Sequence, residues 1–201
     1  MLFRGRIYGK RGLSRGSLLI SYRITDVAKR IVAEHVKIGD RVIDATAGKG
    51  QDTLFLSELV GETGRVLAFD IQPEAIESLK ALEQMHSNIR VLAKGHERIE
   101  EVDGPVRAVM FNFGYLPGGD KKKTTIAETS VKAVKASLKK LSVGGVVTLC
   151  LYPGHPEGAR ESRLIEKHIK TLNPSNYLVF KMDYLNGKNS PYCILIRKNK
   201  E

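Results

Sequence analysis

A turn of small residues after the apolar pair Val42-Ile43 carries the first side chains that could bind a ligand. Asp44 ends this strand-like run, and the glycines of segment 45–50 let main-chain N–H groups come close to a ligand. A second strand-like run, 66–70, ends about 20 residues further on at Asp70, whose carboxylate can accept two ribose hydroxyls. This spacing predicts a site for a nucleoside.

The turn lacks the residues that a dinucleotide needs. The fingerprint G-x-G-x-x-G requires a third glycine, but Thr53 stands at that position, and Asp52 adds a negative charge where a pyrophosphate would lie. A phosphate-binding P-loop is also disfavoured, because Lys49 is followed by Gly50 and not by Ser or Thr. A cationic ligand fits better, and the pattern Asp-x-x-x-Gly-x-Gly resembles motif I of the S-adenosylmethionine-dependent methyltransferases. An ordinary strand-turn-helix remains the alternative.

The chain has a basic excess that is concentrated at its N-terminus. Its 201 residues carry 33 Lys plus Arg against 22 Asp plus Glu, a net charge of +11, and a hydrophobic fraction of 42% is enough for one domain with a buried core. Residues 1–23 include six basic and no acidic side chains, so we expect a flexible arm ahead of a single domain at 24–201. Either the arm contacts RNA phosphates or it is an extension without function. The basic remainder favours a polyanionic partner.

The cysteines and apolar runs exclude several other classes of protein. Cys150 and Cys193 lie in apolar strand-like runs without metal-ligand spacing, which predicts buried free thiols in a reducing compartment and no metal site. The longest apolar stretch, 143–151, is too short to span a bilayer, and no signal peptide is recognisable. We therefore expect a cytoplasmic protein without a membrane partner.

Strand-like and helix-like segments alternate along most of the chain. After a helical pattern from residue 25, strands are expected at 41–45, 65–70, 89–93, 106–111 and 145–151, and helices at 51–60, 73–85, 125–141 and 157–171. Such alternation predicts an α/β fold with a parallel, doubly wound sheet. Two further runs, 177–183 and 192–197, should form an antiparallel hairpin at one edge. A mostly parallel seven-stranded sheet with helices on both faces resembles the class I, Rossmann-like methyltransferase fold.

The loop after the fourth predicted strand holds a second group of candidate residues. Asn112 follows this strand, and loops at the carboxyl ends of strands line the ligand crevice of a doubly wound sheet. The Asn112 side-chain carbonyl can accept a hydrogen bond from an amine, and Tyr115 offers an aromatic face for a base. These residue types suit methyl transfer to a nitrogen. A plain strand-to-helix loop is the alternative.

Five segments, in order, resemble those of the YtqB-like rRNA methylases, a family that includes the MnmM-type methyltransferases of 5-aminomethyl-2-thiouridine in tRNA. They are 44–53 (DATAGKGQDT), 69–72 (FDIQ), 111–121 (FNFGYLPGGDK), 152–158 (YPGHPEG) and 185–191 (LNGKNSP). The resemblance covers about residues 25–198 and leaves the basic arm unmatched. Lys49 departs from the family's usual Asn, and its charge would weaken binding of a sulfonium cofactor unless the side chain points outward.

The resemblance implies methyl transfer from S-adenosylmethionine to the aminomethyl group of the tRNA wobble uridine, by a homodimer that binds the anticodon loop. Among the expected catalytic residues, Asn112 would direct the amine lone pair at the methyl group; either the proton leaves to water, or Tyr115 or Asp120 accepts it as a general base if it lies within reach. The implied cofactor-binding residues are Asp44, Thr46, Gly48, Lys49, Gly50, Asp52, Thr53, Asp70, Ile71, Gln72, His96, Glu97 and Asn112. The implied substrate-binding residues are Tyr115, Leu116, Tyr152, His155 and Asn189.

Several of these assignments leave alternatives open. His96 and Glu97 either contact the cofactor or form an exposed loop pair, and His155 either contacts RNA or caps the helix that follows it. The lysines at 121–123, 132, 135, 139 and 140 form either an RNA-facing stripe or a solvated helix face. The rival functions for the whole chain are methylation of ribosomal RNA or of a small amine, and binding of a nucleoside or RNA without catalysis.

Overall fold

A computed structural model describes residues 23–114 and 125–201 of the chain. Its elements alternate between strands and helices up to α5 and then end in two strands. In chain order they are α1 (Ile24–His35), β1 (Arg41–Asp44), α2 (Gln51–Val60), β2 (Arg65–Phe69), α3 (Pro73–Met85), β3 (Ile89–Leu92), a 3₁₀ helix (His96–Glu101), β4 (Val106–Asn112), α4 (Ala127–Lys140), β5 (Leu141–Leu151), α5 (Pro156–Ile169), β6 (Tyr177–Met182) and β7 (Tyr192–Lys198).

The strands form one seven-stranded sheet in the order β3-β2-β1-β4-β5-β7-β6. The first five strands of the chain pair in parallel, and β7 pairs antiparallel with both β5 and β6. The predicted α/β fold and C-terminal hairpin are therefore confirmed. The strand order reverses between β1 and β4, and in an open sheet of this type a ligand binds at the carboxyl ends of the strands on either side of that reversal.

Helices cover both faces of the sheet, as predicted. Val42 packs in a cluster with Val32 of α1 and Leu56 of α2, whereas its neighbour Ile43 packs in a second cluster with Ile165 of α5. Successive residues of a strand point to opposite faces, so a strand covered on both faces needs a continuous apolar run. The consecutive apolar residues Val42 and Ile43 of β1 therefore match its central position in the sheet.

Two local details differ from the predicted element boundaries. β5 begins at Leu141, four residues before the predicted start at 145, because Leu141 pairs with Val106 ahead of a register shift. Gly144 lies in this irregular stretch with φ +76°, a conformation that glycine adopts without strain. The second difference is the 3₁₀ helix His96–Glu101, where the sequence indicated only a loop.

The edge strand, the cysteines, the apolar helices and the basic arm bear on the remaining predictions. β6 is an edge strand, and it exposes Leu178, Val179 and Phe180. Cys150 and Cys193 are buried free thiols, as predicted. Within the described residues, no helix is long and apolar enough to cross a membrane, and no three His, Cys, Asp or Glu side chains cluster as metal ligands would. Most of the predicted basic arm, residues 1–22, lies outside the described part.

Candidate functional site

The turn after β1 depends on two glycines. Gly48 and Gly50 have φ +51° and +84°, and Gly50 directly precedes α2. A Cβ atom added to Gly50 would lie 2.3 Å from Leu82 Cδ1 and 3.3 Å from Leu79 Cδ2, both of α3. Glycine is therefore required at position 50 by backbone conformation and by helix packing together. The result is an open stretch of main chain at the carboxyl end of β1.

Asp70 lies directly beside this turn. Its Oδ2 accepts the N–H of Gly48 at 2.8 Å, and its Oδ1 accepts the N–H groups of Ile71 and Gln72 at 2.8 and 2.9 Å. These bonds hold the carboxylate in one orientation and leave Oδ2 with capacity to accept a hydroxyl. Ile71 is 68% exposed next to it. A fixed carboxylate acceptor beside an exposed apolar side chain fits the ribose and the base of a nucleoside.

Asp44 is buried beneath the turn. Thr53 Oγ1 donates to its Oδ2 at 2.7 Å, and the Thr46 N–H donates to its Oδ1 at 3.3 Å. Burial, followed by repulsion from Asp52, raises the pKa of Asp44 to about 7, and the two hydrogen bonds oppose this shift. Because Asp44 titrates near neutrality, a charged ligand bound at the turn would change its protonation state.

The two charged residues that flank the turn have different environments. Asp52, in the first turn of α2, forms an ion pair with Lys29 of α1, with 2.9 Å between Oδ1 and Nζ. Lys49 is exposed at the tip of the turn. Sequence reasoning missed Lys29, because nothing local links it to a residue one strand and one turn further along the chain. Its charge offsets that of Asp52, so the two side chains add little net charge.

Asn112, at the end of β4, is the residue that joins the two sides of the crevice. Its N–H donates to Thr46 Oγ1 at 2.7 Å, which ties it to the turn after β1. Its side-chain Oδ1 accepts the Tyr152 hydroxyl, also at 2.7 Å, from the end of β5. Burial raises the pKa of Tyr152 well above its ordinary value, so the phenol stays protonated and remains a donor. The predicted substrate contact Tyr152 therefore holds the Asn112 amide in this structure.

The segment after Asn112 leaves and rejoins the described structure at one point. Gly114 and Thr125 form two hydrogen bonds, one between main-chain atoms and one from the Gly114 N–H to Thr125 Oγ1. Thr125 in turn bonds the buried carboxyl of Glu161. The predicted residues Tyr115, Leu116 and Asp120 lie between these two anchors, outside the described residues.

The loops after β5 and β6 meet next to Tyr152. His155 caps α5, since its Nδ1 accepts the N–H of Gly158 at 3.1 Å, which was the structural alternative for this residue. A Cβ at Gly158 would lie 2.1 Å from the Tyr152 carbonyl oxygen, so only glycine fits there. Asn189 has φ +56°, and its carbonyl oxygen lies 3.8 Å from the Cβ position of Gly154. The β6–β7 connection thus reaches the acceptor side of the crevice.

His96 and Glu97 are both partly buried and do not form an exposed pair. Its ring packs edge-on against Phe111 and Phe113, with centroids 6.1 and 6.0 Å apart, and it bonds the Ala45 carbonyl. Burial lowers its pKa, against the opposing charge of Glu97, so the ring is neutral at physiological pH. His96 lies at the strand ends that form the crevice, and its contact with a cofactor stays a prediction.

The sheet order, the turn after β1 and the carboxylate after β2 define a class I S-adenosylmethionine-dependent methyltransferase. The model of the family described as "Putative rRNA methylase" matches residues 66–198, and the chain belongs to this family. It is 34% identical to the chloroplastic tRNA (mnm(5)s(2)U34)-methyltransferase of Arabidopsis thaliana, over 92% of this chain and 73% of that protein.

Two solved structures agree with this assignment. The crystal structure of a "putative rRNA-methylase" from Clostridium thermocellum superposes with a TM-score of 0.84 at 35% identity, covering 90% of this chain and 100% of that one. A "putative methyltransferase" from Streptococcus mutans, solved with bound SAH (S-adenosylhomocysteine), gives a TM-score of 0.79 at 30% identity, covering 89% of this chain and 99% of that one. The enzyme class and the cofactor S-adenosylmethionine, both predicted from sequence, are thereby confirmed.

The raised pKa of Asp44 predicts a pH-dependent affinity for the cofactor. A cationic sulfonium favours the ionised carboxylate, so binding of S-adenosylmethionine releases a proton from Asp44 when the pH is below about 7. Calorimetry should show binding about tenfold tighter at pH 8 than at pH 6. S-adenosylhomocysteine carries the same head group without the sulfonium charge and should show a smaller dependence. If both ligands, or the variant Asp44→Asn, respond equally to pH, Asp44 is not the responsible group.

The hydrogen bond from Tyr152 predicts a loss of turnover without a loss of cofactor binding. In Tyr152→Phe the Asn112 amide loses one restraint, so kcat should fall about tenfold while KM for the cofactor stays the same. Tyr192→Phe is the matched control, because it removes the hydroxyl of a buried tyrosine on the neighbouring strand without touching Asn112. An equal loss of kcat in both variants would indicate a general effect of stability.

Proposed function

We propose that this methyltransferase N-methylates the 5-aminomethyl group of 2-thiouridine at the wobble position of tRNA. The observation that carries the proposal is the position of Asn112, whose main-chain N–H donates to Thr46 in the turn after β1 and whose side-chain Oδ1 accepts the Tyr152 hydroxyl on the proposed substrate side. A neutral carbonyl acceptor at the crevice suits an amine substrate. The name of the Arabidopsis relative gives the same chemistry for that protein.

The choice of Asn over Asp at position 112 suits the protonation state that the reaction needs. A primary alkylamine has a reference pKa of about 10.4, and its protonated form has no lone pair to attack a methyl group. A carboxylate would favour the ammonium form, whereas an amide carbonyl accepts an N–H without adding charge. Tyr152 occupies one acceptor position of Asn112 Oδ1, and the other is available to a substrate N–H. That bond would direct the nitrogen lone pair into the crevice.

The residues around the turn account for how the cofactor would be held. When bound, S-adenosylmethionine supplies the electrophilic methyl group. Asp70 would bind its ribose, Ile71 would pack against its base, and the open main chain at Gly48 would approach its head group. Rigid placement of both reactants is worth on the order of 7–11 kcal/mol in well-oriented systems. His96 and Glu97 complete the proposed cofactor contacts.

A tRNA anticodon loop is a suitable acceptor on physical grounds. Its bases are not locked in a duplex, so an enzyme can capture one without paying for a broken base pair. The net charge of +11 favours an RNA over a small-molecule amine. We place Tyr152 and Asn189 on the substrate side of the proposed site. A homodimer and a cytoplasmic location stay predictions, and the Arabidopsis relative is a chloroplast protein by name.

Nucleoside mass spectrometry tests the substrate directly. Total tRNA from cells that lack this gene should be incubated with the protein and S-adenosylmethionine. We expect conversion of the 5-aminomethyl nucleoside to its methylaminomethyl form, because the crevice combines a cofactor site with a neutral amine acceptor. Ribosomal RNA from the same cells serves as the second substrate, since the family description points to it. Methylation confined to ribosomal RNA would contradict the proposal.

The role of Asn112 predicts a separation of binding from catalysis. Asn112→Ala should lower kcat about 100-fold, since the amine loses the group that orients it. Cofactor affinity should be unchanged, because the main-chain bond from Asn112 to Thr46 does not need the side chain. Asn112→Asp is the informative companion: its added charge favours the ammonium, so its activity should recover as the pH rises. An Asn112→Ala enzyme with normal turnover would remove Asn112 from the mechanism.

A further inference from the structure

The two faces of the sheet carry opposite charge. Residues 24–85, which contain α1, α2 and α3, hold seven Lys or Arg against eleven Asp or Glu. Residues 127–170, which contain α4 and α5, hold eight against four. Because α1 and α2 pack on one face of the sheet and α4 and α5 on the other, the long helices of the two faces differ in the sign of their net charge.

The four acids of α4 and α5 are already engaged within the protein. Glu128 pairs with Arg160, and Glu166 pairs with Lys181. Glu157 accepts the N–H of Ala127, and Glu161 is buried and accepts from the Ser130 hydroxyl. Two of the lysines of α4 are also engaged: Lys132 pairs with Glu100, and Lys140 donates to the Val102 carbonyl. The acids therefore do little to offset the remaining cations.

Five exposed cations remain, and we call them the basic face. They are Lys135, Lys139, Arg163, Lys167 and Lys170. None of them forms an ion pair with another residue in the described ranges, although Lys170 acts on the nearby Glu166. Lys135 and Lys139 form one row on α4, and Arg163 and Lys167 form a second row on α5. Residues spaced i, i+4 lie on one side of a helix, and the exposure of these four shows that it is the outer side.

The two rows lie side by side at matched height. α4 and α5 start together, as the Glu157 bond to the Ala127 N–H shows, and both run away from the carboxyl edge of the sheet. At 1.5 Å per residue, Lys135 and Arg163 lie about 12 and 10 Å from that edge, and Lys139 and Lys167 about 18 and 17 Å. Partial burial and then the charge of Lys135 lower the pKa of His168 on α5, which agrees with close rows.

We infer that the basic face binds the phosphate backbone of the substrate RNA beside the nucleotide that enters the crevice. This inference rests on the proposed function for the identity of the RNA. Cations without internal partners, spaced along a surface that starts near the site, match a chain of phosphates that extends from a captured base. The acidic α1–α3 side repels the same backbone, so the RNA approaches from the α4–α5 side.

Salt dependence of tRNA binding by the full-length chain tests this surface. The double variant Lys135→Gln with Lys167→Gln removes two phosphate contacts, so the slope of log K against log salt should fall by about two, and kcat at saturating tRNA should not change. The matched control is Lys37→Gln with Lys80→Gln, two exposed lysines on the acidic half. The control should leave the slope near the wild-type value. Thermal melting of each variant verifies folding.

The outcomes separate this inference from the proposed function. An unchanged slope in the double variant overturns the docking surface, even if the wobble nucleoside is methylated normally. An equal fall in the control also overturns it, because the effect would then be one of total charge. A reduced slope in the double variant alone supports the surface, including the case in which the wild-type chain fails to methylate the aminomethyl nucleoside. That last result would contradict only the proposed function.

Discussion

The hydrogen bond from the Asn112 N–H to Thr46 Oγ1 crosses the point where the sheet reverses its strand order. β1 and β4 are adjacent parallel strands, buried on both faces, so neither end can shift without disturbing two hydrophobic clusters. The bond extends that rigidity beyond the strands into the loops. Asp70 joins it through Gly48, and Tyr152 joins it through the Asn112 amide. The turn after β1, the carboxylate after β2 and Tyr152 after β5 are thereby held in fixed positions relative to one another.

Three carboxylates surround the turn, and each is stabilised differently. Asp44 is buried and hydrogen-bonded, Asp52 is paired with Lys29, and Asp70 binds three main-chain N–H groups. Because the pKa of Asp44 is raised to about 7, part of its population is protonated at neutral pH, and a cation bound at the turn would favour the ionised form. Three carboxylates around the turn suit a sulfonium ligand, and they would repel a pyrophosphate.

Layering of helices on a sheet also separates the two electrostatic roles of the molecule. The helices α1, α2 and α3 on one face hold more acidic than basic residues, whereas α4 and α5 on the other face carry five exposed cations that form no ion pair with another described residue. Charges of one sign on one face produce a directional field, which a uniform distribution of the same net charge would not. Composition alone reports the excess, and only the fold gives it a direction.

Local patterns in the sequence were enough to predict the fold class, to locate the turn 45–50 and to place Asp44, Asp70 and Asn112 at strand ends. Each of these predictions depends only on a strand and the residues directly after it. Tertiary structure alone decided what these residues contact. Lys29 reaches Asp52, Tyr152 holds Asn112, and His96 packs against the buried Phe113 although its segment looks like a polar loop. β5 begins early for the same reason, since Leu141 gains a partner in β4. Periodicity and spacing encode what a segment does with its own neighbours, whereas contacts between distant segments follow from packing that no local pattern contains.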